Sequence, residues 1–131
     1  MLISFNSIII IILIFGIHYV ADFILQKNED AKLKSTSFKH LLNHVFDYYT
    51  YFVLMMLGVW YAFSIHVSWE TIVWFSLSVS FLHLITDYFT SKASKYYFTI
   101  NHNKLFWGTI GVDQYLHQIQ ILLLTYYFIF S

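Results

Sequence analysis

Four long apolar stretches alternate with polar connections along the chain: Leu2 to Leu25, Leu41 to Ile65, Thr71 to Phe89 and Ile110 to Phe130. Each approaches the ~20 residues that an α-helix needs to cross the hydrocarbon core of a bilayer. No proline interrupts them, and unbroken helices are the simplest way to satisfy backbone groups in lipid. The pattern predicts an all-α polytopic membrane protein, a single domain over residues 1–131, with four transmembrane helices in an antiparallel bundle. The first stretch lacks a basic leader and exceeds the roughly 7–15 residues of a signal core, so it is expected to stay in the mature protein. Lys92 to Trp107, the longest connection, alternates aromatic with polar residues and is expected to lie along the membrane surface. Gly108 and Gly111 are then expected to form the turn from which the last helix departs at Asp113.

Composition agrees with that reading, since 59% of the 131 residues are hydrophobic and only 11% charged, far from the average soluble domain. Cysteine is absent, which excludes a disulfide framework and any thiolate metal site. The seven basic residues are all lysines, and they fall between the first and second stretches (Lys27, Lys32, Lys34, Lys39) or after the third (Lys92, Lys95, Lys104). By the positive-inside rule those two connections are expected on the cytoplasmic side of the cell membrane. Both termini and the short Ile65 to Glu70 turn are then expected outside. Trp60, Trp69 and Trp74 would form the outer aromatic belt, and Tyr96, Tyr97 and Trp107 the inner one. Nucleic-acid binding is not expected, because the basic groups are scattered rather than striped.

Ionisable groups inside apolar helices are costly to bury and mark functional sites. Here they come in pairs one helical turn apart: His18/Asp22, His44/Asp47, His83/Asp87 and Asp113/His117. Residues at that spacing share a helix face. The up-and-down topology brings all four pairs to one depth near the lysine-rich side, so they could converge on a common axis. Neither lysine nor arginine lies on the same helical faces to neutralise the aspartates. Protonated histidines or neutral carboxyls would answer the charge problem, and so would a divalent metal. Mixed imidazole and carboxylate donors suit zinc, manganese or iron, and helical bundles hold such centres in their cores. The candidate metal ligands are His18, Asp22, His44, His83, Asp87, Asp113 and His117. Gln26, Ser91 and Gln114 extend the same polar faces and could orient those ligands. His40 is expected at the interface beside Lys39, and His66 and His102 in solvated connections.

The strings HYVADFILQ (His18 to Gln26), HLITDYFTS (His83 to Ser91) and GVDQYLH (Gly111 to His117), with His44 between them, resemble the motifs of a domain-of-unknown-function family of small bacterial and phage integral membrane proteins. The resemblance spans nearly the whole chain. It implies His18, Asp22, Gln26, His44, His83, Asp87, Ser91, Asp113, Gln114 and His117 as site residues, and it leaves out Asp47. More distantly, the design is similar to the membrane-bound metal-dependent hydrolases regulated with the bacterial damage response, whose additional paired-histidine motif is missing here.

These features lead to the expectation of a metal-dependent hydrolase at the cytoplasmic membrane surface, acting on a lipid or phosphate ester. A bound ion would activate water, and Asp22 or Asp87 would serve as the catalytic carboxylate that accepts the proton. Membrane lipid is the expected partner. A non-enzymatic proton or divalent-cation pathway is the main alternative, and a homo-oligomer could build its pore. A structural or partner-binding membrane protein, with the polar pairs as interhelical glue, is the third reading.

Overall fold

The computed structural model describes residues 5–131, and among them every regular element is helical. Helix α1 spans Phe5–Tyr19 and continues through a π-helical turn at Val20–Ile24; a short α2, Asn28–Leu33, follows. Helices α3 (Phe38–Ala62), α4 (Trp69–Thr99) and α5 (Asn103–Thr125) complete the fold, with a second π-helical turn at Tyr126–Phe130. Residues 2–4 of the first expected stretch lie outside the described residues.

Of the four expected crossings, two are long and apolar enough to span a membrane: Asn6–Ile24, and Trp69–Thr99 in α4. Helices α3 and α5, at 25 and 23 residues, have the length.

Three local expectations change. The Lys92 to Trp107 stretch is not one long connection: α4 continues through Thr99, and only Ile100 to His102 separate it from α5. At 31 residues, α4 is about 46 Å long, well beyond a ~30 Å hydrocarbon core. Gly108 and Gly111 lie inside α5, and the reversal is made instead at Asn101, whose φ of 55° is a left-handed conformation that Asn accepts more readily than most residues. Helix α1 is also interrupted, since Leu25 N donates to Val20 O. Such π turns occur mostly as single insertions near functional positions, and this one surrounds Asp22.

The bundle is built on α4, which packs extensively against both α3 and α5, while α1 closes the remaining side. The apolar core is formed by Ile14, Phe52, Met56, Ile72 and Phe75, all with no exposed surface, together with Ile121. The outside is just as apolar: Phe46, Leu54, Trp74, Phe81, Phe89, Leu123 and Tyr127 are each more than 60% exposed. Ionisable groups, by contrast, occupy the interior at one end.

Candidate metal centre

Each helix buries one stripe, and each stripe changes character along its length. On α3 the buried positions Leu41, His44, Val45, Tyr48, Phe52 and Met56 recur every three or four residues, the spacing of one helix face. On α4 the stripe runs from Ile72 and Phe75 through Val79 to His83 and Asp87. In α5 it runs from His117 to Ile121 and Thr125. The apolar members fill the core, and the ionisable members meet where it ends.

At their meeting point four residues face one another. His44 Nε2 lies 3.2 Å from His83 Nε2, 3.2 Å from Asp22 Oδ1 and 3.3 Å from Asp87 Oδ2. His83 Nε2 lies 3.4 Å from Asp22 Oδ1 and 3.6 Å from Asp87 Oδ2. All four side chains are buried, none more than 3% exposed. Yet Asp22 Oδ1, with an imidazole nitrogen on two sides, is aligned with neither for a hydrogen bond. The two imidazoles contact each other, and one donor atom from each of the four residues lies within 4.8 Å of the other three. For a tetrahedral ion with bonds of about 2.0–2.1 Å to nitrogen and oxygen, ligand atoms stand about 3.3–3.4 Å apart. The five separations just given bracket that value, so Asp22, His44, His83 and Asp87 could hold a metal ion.

The expected ligands outside this group take several positions. His18 stands beside it: its Nδ1 is 3.0 Å from the Tyr48 hydroxyl, and its Nε2 is 3.9 Å from Asp22 Oδ2. Asp113 and His117 form a second group with Asp87. Asp47 is excluded. It leaves the buried stripe of α3 and pairs with Lys27 at 2.8 Å, and this carboxylate holds the exposed Lys27 ammonium above the usual lysine range. His40 pairs with Asp30, its Nδ1 2.6 Å from Oδ1. Asp22 and Asp87, expected to supply a spare carboxylate, each give one oxygen to the central four.

A lysine does reach the aspartates, from a connection rather than from the helical faces that carry them. Lys34, from the connection between α2 and α3, donates to Asp87 Oδ2 at 2.6 Å and places Nζ 3.4 Å from His44 Nε2. Burial lowers the proton affinity of this ammonium, but Asp87, and Asp22 after it, outweigh burial and hold it above the usual lysine range. Sequence periodicity on the helices could not have found it. Tyr48 was also missed, although it stands four residues after His44. Its ring is stacked on that of His83, with centroids 4.2 Å apart and planes within 3°.

The three expected supporting residues all line a cavity of about 310 Å³ that begins at Asp22, Asp87 and Asp113. Gln114 Nε2 donates to Asp113 Oδ2 at 2.9 Å and approaches Asp22 Oδ2 at 3.5 Å. Thr90 donates to the other Asp113 oxygen. Gln26 Oε1 and Ser91 Oγ are buried with no hydrogen-bond partner among the described residues. Lys32, Lys34 and Lys95 contribute the cationic side of the cavity, and Phe23, Phe98 and Phe106 an apolar one. With all imidazoles neutral, three carboxylates against the Lys34 ammonium leave two negative charges, which is the charge of one divalent ion.

Comparison with protein families, with curated proteins and with solved structures finds no match to the chain.

Proposed function

We propose that this chain is a multi-pass membrane protein that holds a divalent metal ion between Asp22, His44, His83 and Asp87 and hydrolyses a lipid or phosphate ester at the cytoplasmic membrane surface. The observation that carries the reading is the gathering of four buried ionisable donors within 4.8 Å of one another, with five of their separations between 3.2 and 3.6 Å. Zinc, manganese and iron are the ions such a donor set favours. Four crossings with both termini outside are supported by the apolar exterior of the bundle, since a patch of that extent on a soluble protein would promote aggregation. They are supported as well by the positions of the lysines, because positive charge is retained on the cytoplasmic side. The three-motif resemblance to small bacterial and phage membrane proteins points the same way.

A divalent ion supplies a polarised scissile oxygen and a water of lowered pKa. The chain's own residues supply the rest. Asp22 gives Oδ1 to the central four and keeps Oδ2 near Gln114, free to accept a proton from attacking water. Lys34 fixes Asp87 through Oδ2. Tyr48 holds the His83 ring by stacking. The cavity admits substrate from the lysine-bearing end, and its aromatic side offers a surface for an acyl or alkyl chain.

A transmembrane ion pathway is less well supported. Beyond the centre the bundle interior is closed by fully buried Phe52, Met56, Ile72 and Phe75, and the buried Ser76 and Ser80 hydroxyls bond back to their own helix, so no ionisable group continues the path.

Metal analysis of the purified wild type beside a His83→Ala variant tests the reading, together with hydrolysis of a chromogenic phosphate ester before and after chelation. Stoichiometric metal that the variant loses, with hydrolysis that chelation abolishes, is the expected result. A metal-free wild type would overturn the proposal.

A further inference from the structure

Four protein donors close a tetrahedral site, and closed sites are the structural kind; catalytic sites keep a coordination position open. The Asp22, His44, His83 and Asp87 set can take a water only by expanding to a fifth position. An adjacent group need not expand. Asp87 turns its second oxygen, Oδ1, toward His117 Nε2 at 3.6 Å, and His117 Nδ1 lies 3.6 Å from Asp113 Oδ2. One donor atom from each of Asp87, Asp113 and His117 can be chosen so that all three lie within 4.8 Å of one another. His117 is 2% exposed, and neither ring nitrogen makes a hydrogen bond with any described residue. Buried polar atoms are nearly always paired, so an enclosed imidazole with both nitrogens unpartnered marks the place of a ligand.

We propose that Asp87, Asp113 and His117 hold a second divalent ion, bridged to the first through the two oxygens of Asp87, and that this second ion is the one that meets a phosphate group. The proposal rests on the first ion being present. Three protein ligands leave coordination positions open, and Asp87 and Asp113 both line the cavity. Paired ions sharing a carboxylate are a recurrent arrangement for displacement at phosphorus, where the two metals clamp the attacking and leaving oxygens.

Charge decides when the second position fills. The first ion cancels the two negative charges left by Asp22, Asp87, Asp113 and Lys34. A second ion brings two uncompensated positive charges into a buried site that Lys32 and Lys95 already border. An incoming phosphate dianion restores neutrality, whereas a neutral carboxylic ester does not. The second ion and phosphate therefore bind cooperatively, and the coupling is reciprocal. The substrate class narrows to a phosphate monoester, with the head group of a lipid and a soluble phosphate as its two sources.

Equilibrium dialysis of the full-length chain in a neutral detergent against Mn²⁺ tests this, with no anion, with inorganic phosphate, or with dodecyl phosphate. The expected result is one ion per chain without anion and two with either phosphate, the second bound at least tenfold more tightly. An exchange-coupled Mn²⁺ pair should then be visible by electron paramagnetic resonance. Asp113→Asn and His117→Gln should keep the first ion, which reports that they fold, and lose the second. A larger effect of dodecyl phosphate assigns the lipid source, and equal effects assign the soluble one. A single ion under all three conditions would overturn the inference and leave the first site standing, as would a second ion that survives both substitutions. No ion under any condition would overturn the proposed function itself.

Discussion

Lys34 reaches from a connection outside the long helices to donate to Asp87 Oδ2 at 2.6 Å, so a carboxylate buried to 1% exposure is neutralised by a residue 53 positions away in sequence. Removing one partner of a buried pair leaves the other charge uncompensated and costs roughly 3–5 kcal/mol. Lys34→Met is therefore expected to lower stability by about 3 kcal/mol in metal-free protein, read by thermal unfolding in detergent. Saturating Mn²⁺ should recover part of that loss, because the ion takes over neutralisation of Asp87. The pH sense follows from the raised proton affinity of Lys34. A group held above its unfolded value stabilises fully below the unfolded lysine pKa of about 10.4 and loses that contribution as pH rises through the folded value. The gap between wild type and Lys34→Met should stay constant from about pH 7 to 9 and close only above that range. A gap that closes by pH 8 would contradict the pairing.

His44 and Asp47 look equivalent in sequence and are not in the fold. His44 Nε2 contacts all three other members of the central four, whereas Asp47 pairs with an exposed lysine. His44→Ala should weaken metal binding by more than about 100-fold, beyond the 10–100-fold typical of losing an outer-shell partner. Asp47→Asn should bind metal as tightly as wild type. Competition against a chromophoric chelator separates the two, and comparable losses in both variants would rule out the assignment.

How much of this was readable in the chain depends on whether helix periodicity governs the residue. His18/Asp22, His83/Asp87 and Asp113/His117 are four apart, and each pair does lie on one inward face. His44/Asp47 is three apart, and there the face turns the other way, so that the buried partner one turn on is Tyr48. Periodicity is silent about connections, which is why Lys34 escaped notice. Past Asp87 the periodicity persists: Ser91, Ser94 and Phe98 continue the α4 cavity face at three- and four-residue intervals, a sign that the helix runs on beyond the apolar stretch. The chain reverses at Asn101 and not at the two glycines, because Asn also accepts a left-handed conformation. The π turn around Asp22 has no sequence mark, because hydrophobic pattern alone does not report a one-residue insertion.

Tyr48 offers a way to separate orientation from ligation. Tyr48→Phe removes only the hydroxyl that meets His18 Nδ1 and keeps the ring against His83. The expected loss is about 1 kcal/mol, the net worth of one hydrogen bond, with metal affinity unchanged. Tyr48→Leu removes the stacked ring and frees the His83 imidazole to turn, so metal affinity should fall by about tenfold, the lower end of an outer-partner loss. Equal affinity in wild type and Tyr48→Leu would show that the stack does not position His83.

The placement of the centre at the cytoplasmic surface can be checked with single cysteines, which the chain accommodates because it has none of its own. Lys32 and Lys95 border the cavity, and His66 lies exposed in the short connection between α3 and α4. If positive charge fixes the orientation, Lys32→Cys and Lys95→Cys should be protected from a membrane-impermeant maleimide in intact cells and become labelled once the membrane is opened. His66→Cys should react in intact cells. Labelling of the two lysine positions from outside would invert the topology and move the hydrolytic site away from the cytoplasmic supply of phosphate esters. Equal labelling of all three positions in intact cells would argue against membrane crossing altogether, and the apolar exterior of α3 and α4 would then need a protein partner to cover it.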